Sequence, residues 1–168
     1  RVTQIASTAF CKTPKLKKLT VSSQNKKYCV KDGVLYSKDR KICVSSAAAH
    51  GSVYVSSKTK KILNGAFSYQ QKMSSVAIAG KVTTLPQRCF KESSIVVIIL
   101  PNTVTHIGNE CFEGCSKLES VKLPKNVKKI GKRAFAQCLF HKLTIPQNVN
   151  YIGKDALYSG IEELVFKG

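Results

Sequence analysis

The sequence predicts an α/β solenoid: mostly short parallel strands, with turns or short helical turns on the convex side and one inserted β-hairpin. Two observations carry this. The first is a repeated set of slots. Val104, Ile107, Gly108, Cys111 and Phe112 recur as Val127, Ile130, Gly131, Ala134 and Phe135, and again as Val149, Ile152, Gly153, Ala156 and Leu157. Looser copies hold Val82, Leu85, Cys89 and Phe90, and before them Thr59, Ile62, Ala66 and Phe67. The Ile/Leu positions 62, 85, 107, 130 and 152 are spaced by 23, 22, 23 and 22 residues, a period that belongs to stacked coils.

The second observation is the stretch between these marks, which reads apolar-x-x-apolar-x-apolar and often ends in Pro. Examples are Ile95, Ile98, Leu100 and Pro101; Leu118, Val121, Leu123 and Pro124; and Phe140, Leu143, Ile145 and Pro146. Met73, Val76 and Ile78, and Ile161, Leu164 and Phe166, follow it without the Pro. The last two apolar residues alternate, so they share one face of a short strand. Proline lacks the donor that would extend the ladder. Each repeat is then a strand, a turn, and a return segment leading into a helical turn around Ala-Phe. One such coil cannot bury its apolar side alone, whereas a stack can.

Near the amino end, Val2, Ile5, Ala9, Phe10, Leu16, Leu19 and Val21 form another copy. Ile5 lies 57 residues before Ile62, so residues 22–57 read as an insertion. Within it, β-prone runs flank Ser37, Lys38, Asp39 and Arg40 and predict a hairpin, and Ser52–Val55 predicts another short strand. The chain then forms one domain over residues 1–168, with about six repeats. Neither end carries an evident polar cap, so an excerpt of a longer chain is expected.

The slot pattern L-x-x-[VL]-x-[LI]-P-x-x-V-x-x-I-G-x-x-A-F-x-x-C resembles the BspA-like leucine-rich repeat, most fully over residues 98–157. The insertion around Asp32, Gly33, Val34, Leu35 and Tyr36 is also similar to a segment of that family. The resemblance implies a surface protein of bacteria or protists that adheres to host cells or matrix.

The formal net charge is +19, from 28 Lys and Arg against 9 Asp and Glu. It is uneven: residues 1–84 hold 16 basic and 2 acidic residues, and residues 85–168 hold 12 and 7. A field of this sign attracts polyanions. Lysine outnumbers arginine by 24 to 4 and acts as a hydrated point charge, which suits diffuse attraction better than bidentate reading of phosphate. Aromatic residues are not interleaved with the basic runs, which argues against specific nucleic-acid recognition. No apolar run is long enough for a membrane helix.

Cys111, Cys115, Cys138 and His141 have a spacing that could hold zinc. The period explains them more simply. Cys115 and Cys138 fill one slot in adjacent coils, and Cys89 and Cys111 fill the small slot before the Phe. No metal or cofactor is expected. Cys29 and Cys43 flank the hairpin, where a disulfide could form. No phosphate loop, nucleophile elbow or zinc-protease signature occurs, so an enzyme is not expected.

What remains is surface. On the strands, Lys18 and Thr20, Ser75 and Ala77, Val97 and Ile99, Ser120 and Lys122, Lys142 and Thr144, and Glu163 and Val165 should face the open side of the sheet. Val97 and Ile99 make that face apolar at one point. Either they form a contact site or the insertion and flanking coils cover them. Lys122 and Lys142, with His141 nearby, form a basic cluster on that face, with Thr144 a further binding candidate beside them, and Lys125, Lys128, Lys129, Lys132 and Arg133 crowd the outer face of one coil. These residues suit a non-catalytic module at the cell surface or secreted, binding another protein or an anionic glycan. The alternative is a cytoplasmic or cytoskeletal scaffold docking on an acidic filament, on nucleic acid, or on neighbouring repeat proteins.

Overall fold

The computed structural model describes residues 2–168. The strands come in chain order as β1 (Tyr28–Lys31), β2 (Val34–Ser37), β3 (Ile42–Ser45), β4 (Gly51–Val55), β5 (Lys61–Ile62), β6 (Met73–Ile78) and β7 (Thr84–Leu85). They continue as β8 (Val97–Ile99), β9 (His106–Ile107), β10 (Ser120–Val121), β11 (Lys129–Ile130), β12 (Lys142–Ile145), β13 (Tyr151–Ile152) and β14 (Glu163–Phe166). From β3 onward they alternate between two sides of a parallel solenoid. On one side β4, β6, β8 and β10 pair in that order, and β12 with β14 continues the row. On the other, β3 pairs with β5, and β7, β9, β11 and β13 follow in order.

The register reproduces the repeat. Leu85, Ile107, Ile130 and Ile152 are direct partners on one side, and Val76, Ile98 and Val121 on the other. Between the two sheets the Phe slots stack. Phe67, Phe90, Phe112 and Phe135 are fully buried, with ring centroids 5.0, 5.2 and 5.3 Å apart. Phe140 closes the column edge-on against Phe135 at 5.8 Å, and Leu157 takes the last slot half-buried.

The helical turns expected around Ala-Phe do not form. Among the described residues there is no helix. The corner instead runs as a chain of tight turns in which alternate N–H groups leave the coil. Those of Arg88, Phe90 and Glu92 donate to the carbonyls of Asn109, Cys111 and Glu113 in the next coil, at 2.9, 2.7 and 2.7 Å. The intervening N–H groups of Cys89, Lys91 and Ser93 close local turns onto residues three back. An α-helix would keep every such donor within its own segment. The alternation is achieved by left-handed backbone two residues before and after the Phe: Arg88 at φ 56° and Glu92 at 52°, Arg133 at 52° and Gln137 at 59°. Each costs a non-glycine residue about 1 kcal/mol, which coil-to-coil hydrogen bonds of about 1 kcal/mol apiece offset.

The insertion also differs from expectation. The predicted hairpin is present as β2 and β3, but Asp32 and Gly33, at φ 51° and 74°, make a second two-residue turn ahead of it. A three-stranded meander results, with β2 in the middle. Tyr36 of β2 faces Cys29 on one side and Cys43 on the other. The two cysteines are therefore two strand spacings apart, roughly 9.5 Å. That exceeds the roughly 7 Å between Cα atoms that a disulfide can span. Both thiols are free.

Residues 42–55, expected within the insertion, form a coil of their own. β3 pairs with β5 and β4 with β6, both parallel, and the Ser46 N–H and hydroxyl both donate to the Ala66 carbonyl at 2.8 and 2.9 Å. By the corner register, that carbonyl is the acceptor Phe10 would need. The amino-terminal copy is thus displaced from the ladder. It keeps the corner turn (Lys12 has φ 57°) but forms no strand among the described residues. Cys11 Sγ against Ser68 Oγ at 3.0 Å and Lys12 over the Tyr69 ring hold it to the stack.

Charge is organised along the same corner. Glu110 accepts from Arg88 and Lys91 at 2.9 and 2.8 Å, and Glu113 from Lys91 and Arg133 at 2.9 and 2.6 Å. Hydrogen bonds from Arg88 and Lys91 hold the Glu110 carboxyl down at about 2. A carboxyl lowered by folding stabilises above its unfolded value, near 4.5, and loses that contribution as pH falls towards 2. Replacing Glu110 by Gln should therefore cost about 1–2 kcal/mol at neutral pH, after allowing for solvent screening. Urea titrations should show the difference between the two proteins vanish as pH falls through that window.

Glycine is required where the return strand enters the corner. A Cβ on Gly131 would lie 2.5 Å from Asn109 Oδ1, which could swing away, but also 2.6 Å from the Asn109 backbone N and 2.7 Å from the Gly108 carbonyl carbon, which could not. Gly131→Ala should lower stability by about 1–3 kcal/mol, read as a shifted denaturation midpoint. An unchanged midpoint would mean that the coils are less closely apposed.

Candidate functional site

The parallel register places every second strand residue of the first sheet on one open face, in rows across the coils. One row runs Ser52, Ser75, Val97 and Ser120, and its continuation pairs Lys142 with Glu163. The other runs Tyr54, Ala77 and Ile99, with Lys122 next by the repeat, and continues as Thr144 opposite Val165. The apolar members are not covered: Tyr54 is 71%, Ile99 63% and Val97 45% exposed. Neither the insertion nor the flanking coils shield Val97 and Ile99.

Beside this strip the carboxyl ends of the strands frame a groove of about 890 Å³. Ile99, Lys122, Lys142 and Thr144 line it. Lys125, expected on the outer face, reaches it too, because it follows Pro124 at the strand end. Lys167 joins from the last coil. Lys142 Nζ meets Glu163 Oε1 at 2.6 Å across the register. His141 sits outside the groove, 84% exposed at its side chain, with Nδ1 3.1 Å from Glu162.

The remaining basic candidates separate from these. Lys129 lies on β11, on the opposite sheet, and Lys128 and Lys132 flank that strand, all three exposed. Arg133 is not part of a free basic cluster. Its Nε and Nη2 donate to Glu113 Oε1 at 3.0 and 2.6 Å, which makes it a member of the corner ion ladder. Two residues of the open face were missed from sequence. Lys167 follows the last apolar anchor, and Tyr54 lay in the segment read as insertion. The alternation of Ser52, Val53, Tyr54 and Val55 was the signal for the latter.

Five of the seven cysteines lie in the core. Cys111, Cys115 and Cys138 are fully buried, and the Cys115 and Cys138 thiols donate to the Phe90 and Phe112 carbonyls at 3.0 and 3.1 Å. These are the same bond in successive coils. His141 stands out in solvent, and among the described residues no three His, Cys, Asp or Glu side chains gather as a metal site. Burial pushes the Cys115 thiol up to about 12 and raises Cys43, Cys89 and Cys138 as well. A thiol held protonated and out of water does not react. In the native protein an alkylating reagent should therefore label Cys11 and Cys29, which are half-buried, and spare the other five until denaturant is added. Rapid native labelling of Cys115 or Cys138 would contradict the packing.

The coil that these rows share has a recognisable pattern: the BspA type leucine-rich repeat region matches in six copies over residues 43–162. The chain belongs to the BspA-type leucine-rich repeat family. The first matched copy begins at Cys43, in agreement with the coil built by β3 and β4. This BspA-type chain is similar to a leucine-rich repeat protein from Bacteroides ovatus, at 25% identity and a TM-score of 0.67, over 82% of this chain and 39% of that one. It is similar also to one from Eubacterium ventriosum, at 24% identity and a TM-score of 0.57, over 90% of this chain and 54% of that one. The pneumococcal vaccine antigen PcpA shares the fold at 22% identity and a TM-score of 0.55, over 90% of this chain and 33% of that one. The chain thus spans about half or less of the length of the structures it matches. No curated protein matches it significantly. Repeat modules of this family are generally protein-binding. Among the described residues no helix is long and apolar enough to cross a membrane.

Proposed function

We propose that this chain is a non-catalytic binding module of a cell-surface or secreted adhesion protein. It engages a protein or an anionic glycan through the open strand face and the lysine-rich sheet opposite. The observation that carries the reading is the row in which exposed Tyr54 and Ile99 flank half-buried Ala77 and which leads on to Lys122 and the lysines of the groove. Solvent-facing apolar residues rimmed by charge are the ordinary form of a contact surface. The family, and a vaccine antigen among the similar structures, favour an exposed location.

A second reading is an intracellular scaffold docked on an acidic assembly. The separation of Cys29 from Cys43 by β2 favours it, because the meander is not stapled as an exported one often is.

Retention on heparin and binding to cells or matrix separate the two. The module should need more than physiological salt, about 0.15 M, to leave heparin. Reversing Lys128, Lys129 and Lys132 to Glu should bring elution to lower salt. Elution below physiological salt, with no cell or matrix component bound, would remove the adhesion reading.

A further inference from the structure

Resting on the binding-module reading, we infer that the groove takes an extended acidic polypeptide segment bearing one large apolar side chain, laid across the strands from Tyr54 towards Lys167. The residues lining the groove include four lysines (Lys122, Lys125, Lys142 and Lys167) and no acid. Lys142 is tied to Glu163, but Lys122, Lys125 and Lys167 form no ion pair among the described residues. Three unneutralised ammonium groups around one depression repel one another and favour carboxylates as occupants.

The apolar half of the surface decides between a peptide and a sulfated glycan. A glycan would neutralise the lysines but leave Val97 and Ile99 without apolar cover. A polypeptide carries both kinds of group on one backbone, and an aromatic or aliphatic anchor over Tyr54 and Ile99 would remove that area from water.

The spacing fits an extended chain. Tyr54, Ala77, Ile99 and Lys122 stand on successive coils, about 4.8 Å apart, so Tyr54 and Lys122 are about 14 Å apart. An extended chain covers that span in about four residues at ~3.4 Å each. A segment whose apolar residue rests on the Tyr54–Ile99 strip therefore brings carboxylates two to four residues further on over Lys122, Lys125 and Lys142. The strip and the lysines are read together, as one ligand.

The test uses dye-labelled peptides and fluorescence anisotropy. One peptide carries a Phe followed at that spacing by glutamates, and a second has Ser in place of the Phe. Oligoglutamate and a heparin oligosaccharide serve as competitors. The Phe peptide should bind about tenfold tighter than its Ser counterpart, a difference of ~1.4 kcal/mol. Ile99→Ser should abolish that preference, and Lys122→Glu together with Lys125→Glu should weaken binding of the Phe peptide at least tenfold. These side chains point to solvent, so the denaturation midpoints should stay unchanged and report that the variants fold. Equal affinity for the Phe and Ser peptides, or preferred occupancy by heparin unaffected by Ile99→Ser, would overturn the assignment. Peptide binding without any cell or matrix binding would remove the adhesion reading and leave this one standing. Cell binding without peptide binding would do the reverse.

Discussion

Each coil of this protein is held to the next at a fixed height by backbone hydrogen bonds on three sides, and the stacked Phe column depends on that height. At the corner the alternate donors that leave one coil point towards the carboxyl end of the stack and meet carbonyls that point back. The rings then repeat at 5.0 to 5.3 Å, a separation set by the backbone and filled by the side chain. Left-handed residues beside the Phe, glycine at the entry to the corner, and cysteine in the small slots all follow from this one apposition. A larger residue in those slots would meet the neighbouring coil rather than solvent.

The same ladder has an electrostatic consequence. Side chains one period apart are forced to within a strand spacing of each other, whatever their sign. On the corner this is favourable, because Arg88, Glu110, Lys91, Glu113 and Arg133 alternate in charge as the coils climb. At the open groove and on the β11 side it gathers lysines of which, among the described residues, only Lys142 meets an acid, Glu163. A chain of net charge +19 thus folds with part of its charge internally neutralised and the rest concentrated on faces that a partner could relieve. The buried thiols belong to the neutral interior of this arrangement, where desolvation raises the proton affinity of Cys43, Cys89, Cys115 and Cys138.

Much of this was legible in the chain itself, because a translational repeat turns local pattern into tertiary contact. The period, the strand anchors, the Phe slots and the outward positions of Val97, Ile99, Lys122 and Lys142 follow from spacing alone, since in-register stacking is the simplest way for near-identical coils to bury their apolar sides. What tertiary structure decided are the choices that period leaves open. Apolar residues three or four apart at the corner suit a helical turn as well as alternating turns, and only the carbonyls of the neighbouring coil select the latter. Cys29 and Cys43 are equivalent on paper to a cross-strand pair, and the Asp32–Gly33 turn puts β2 between them. Arg133 reads as one more surface cation until Glu113 appears 20 residues away in sequence and one coil away in space. Two segments compete for the first place in the ladder, and residues 42–55 hold it because Ser46, not Phe10, reaches the Ala66 carbonyl. That choice brings Tyr54 onto the open face: the alternation of Ser52–Val55 marks a strand, but the sheet it joins depends on which coil stacks first.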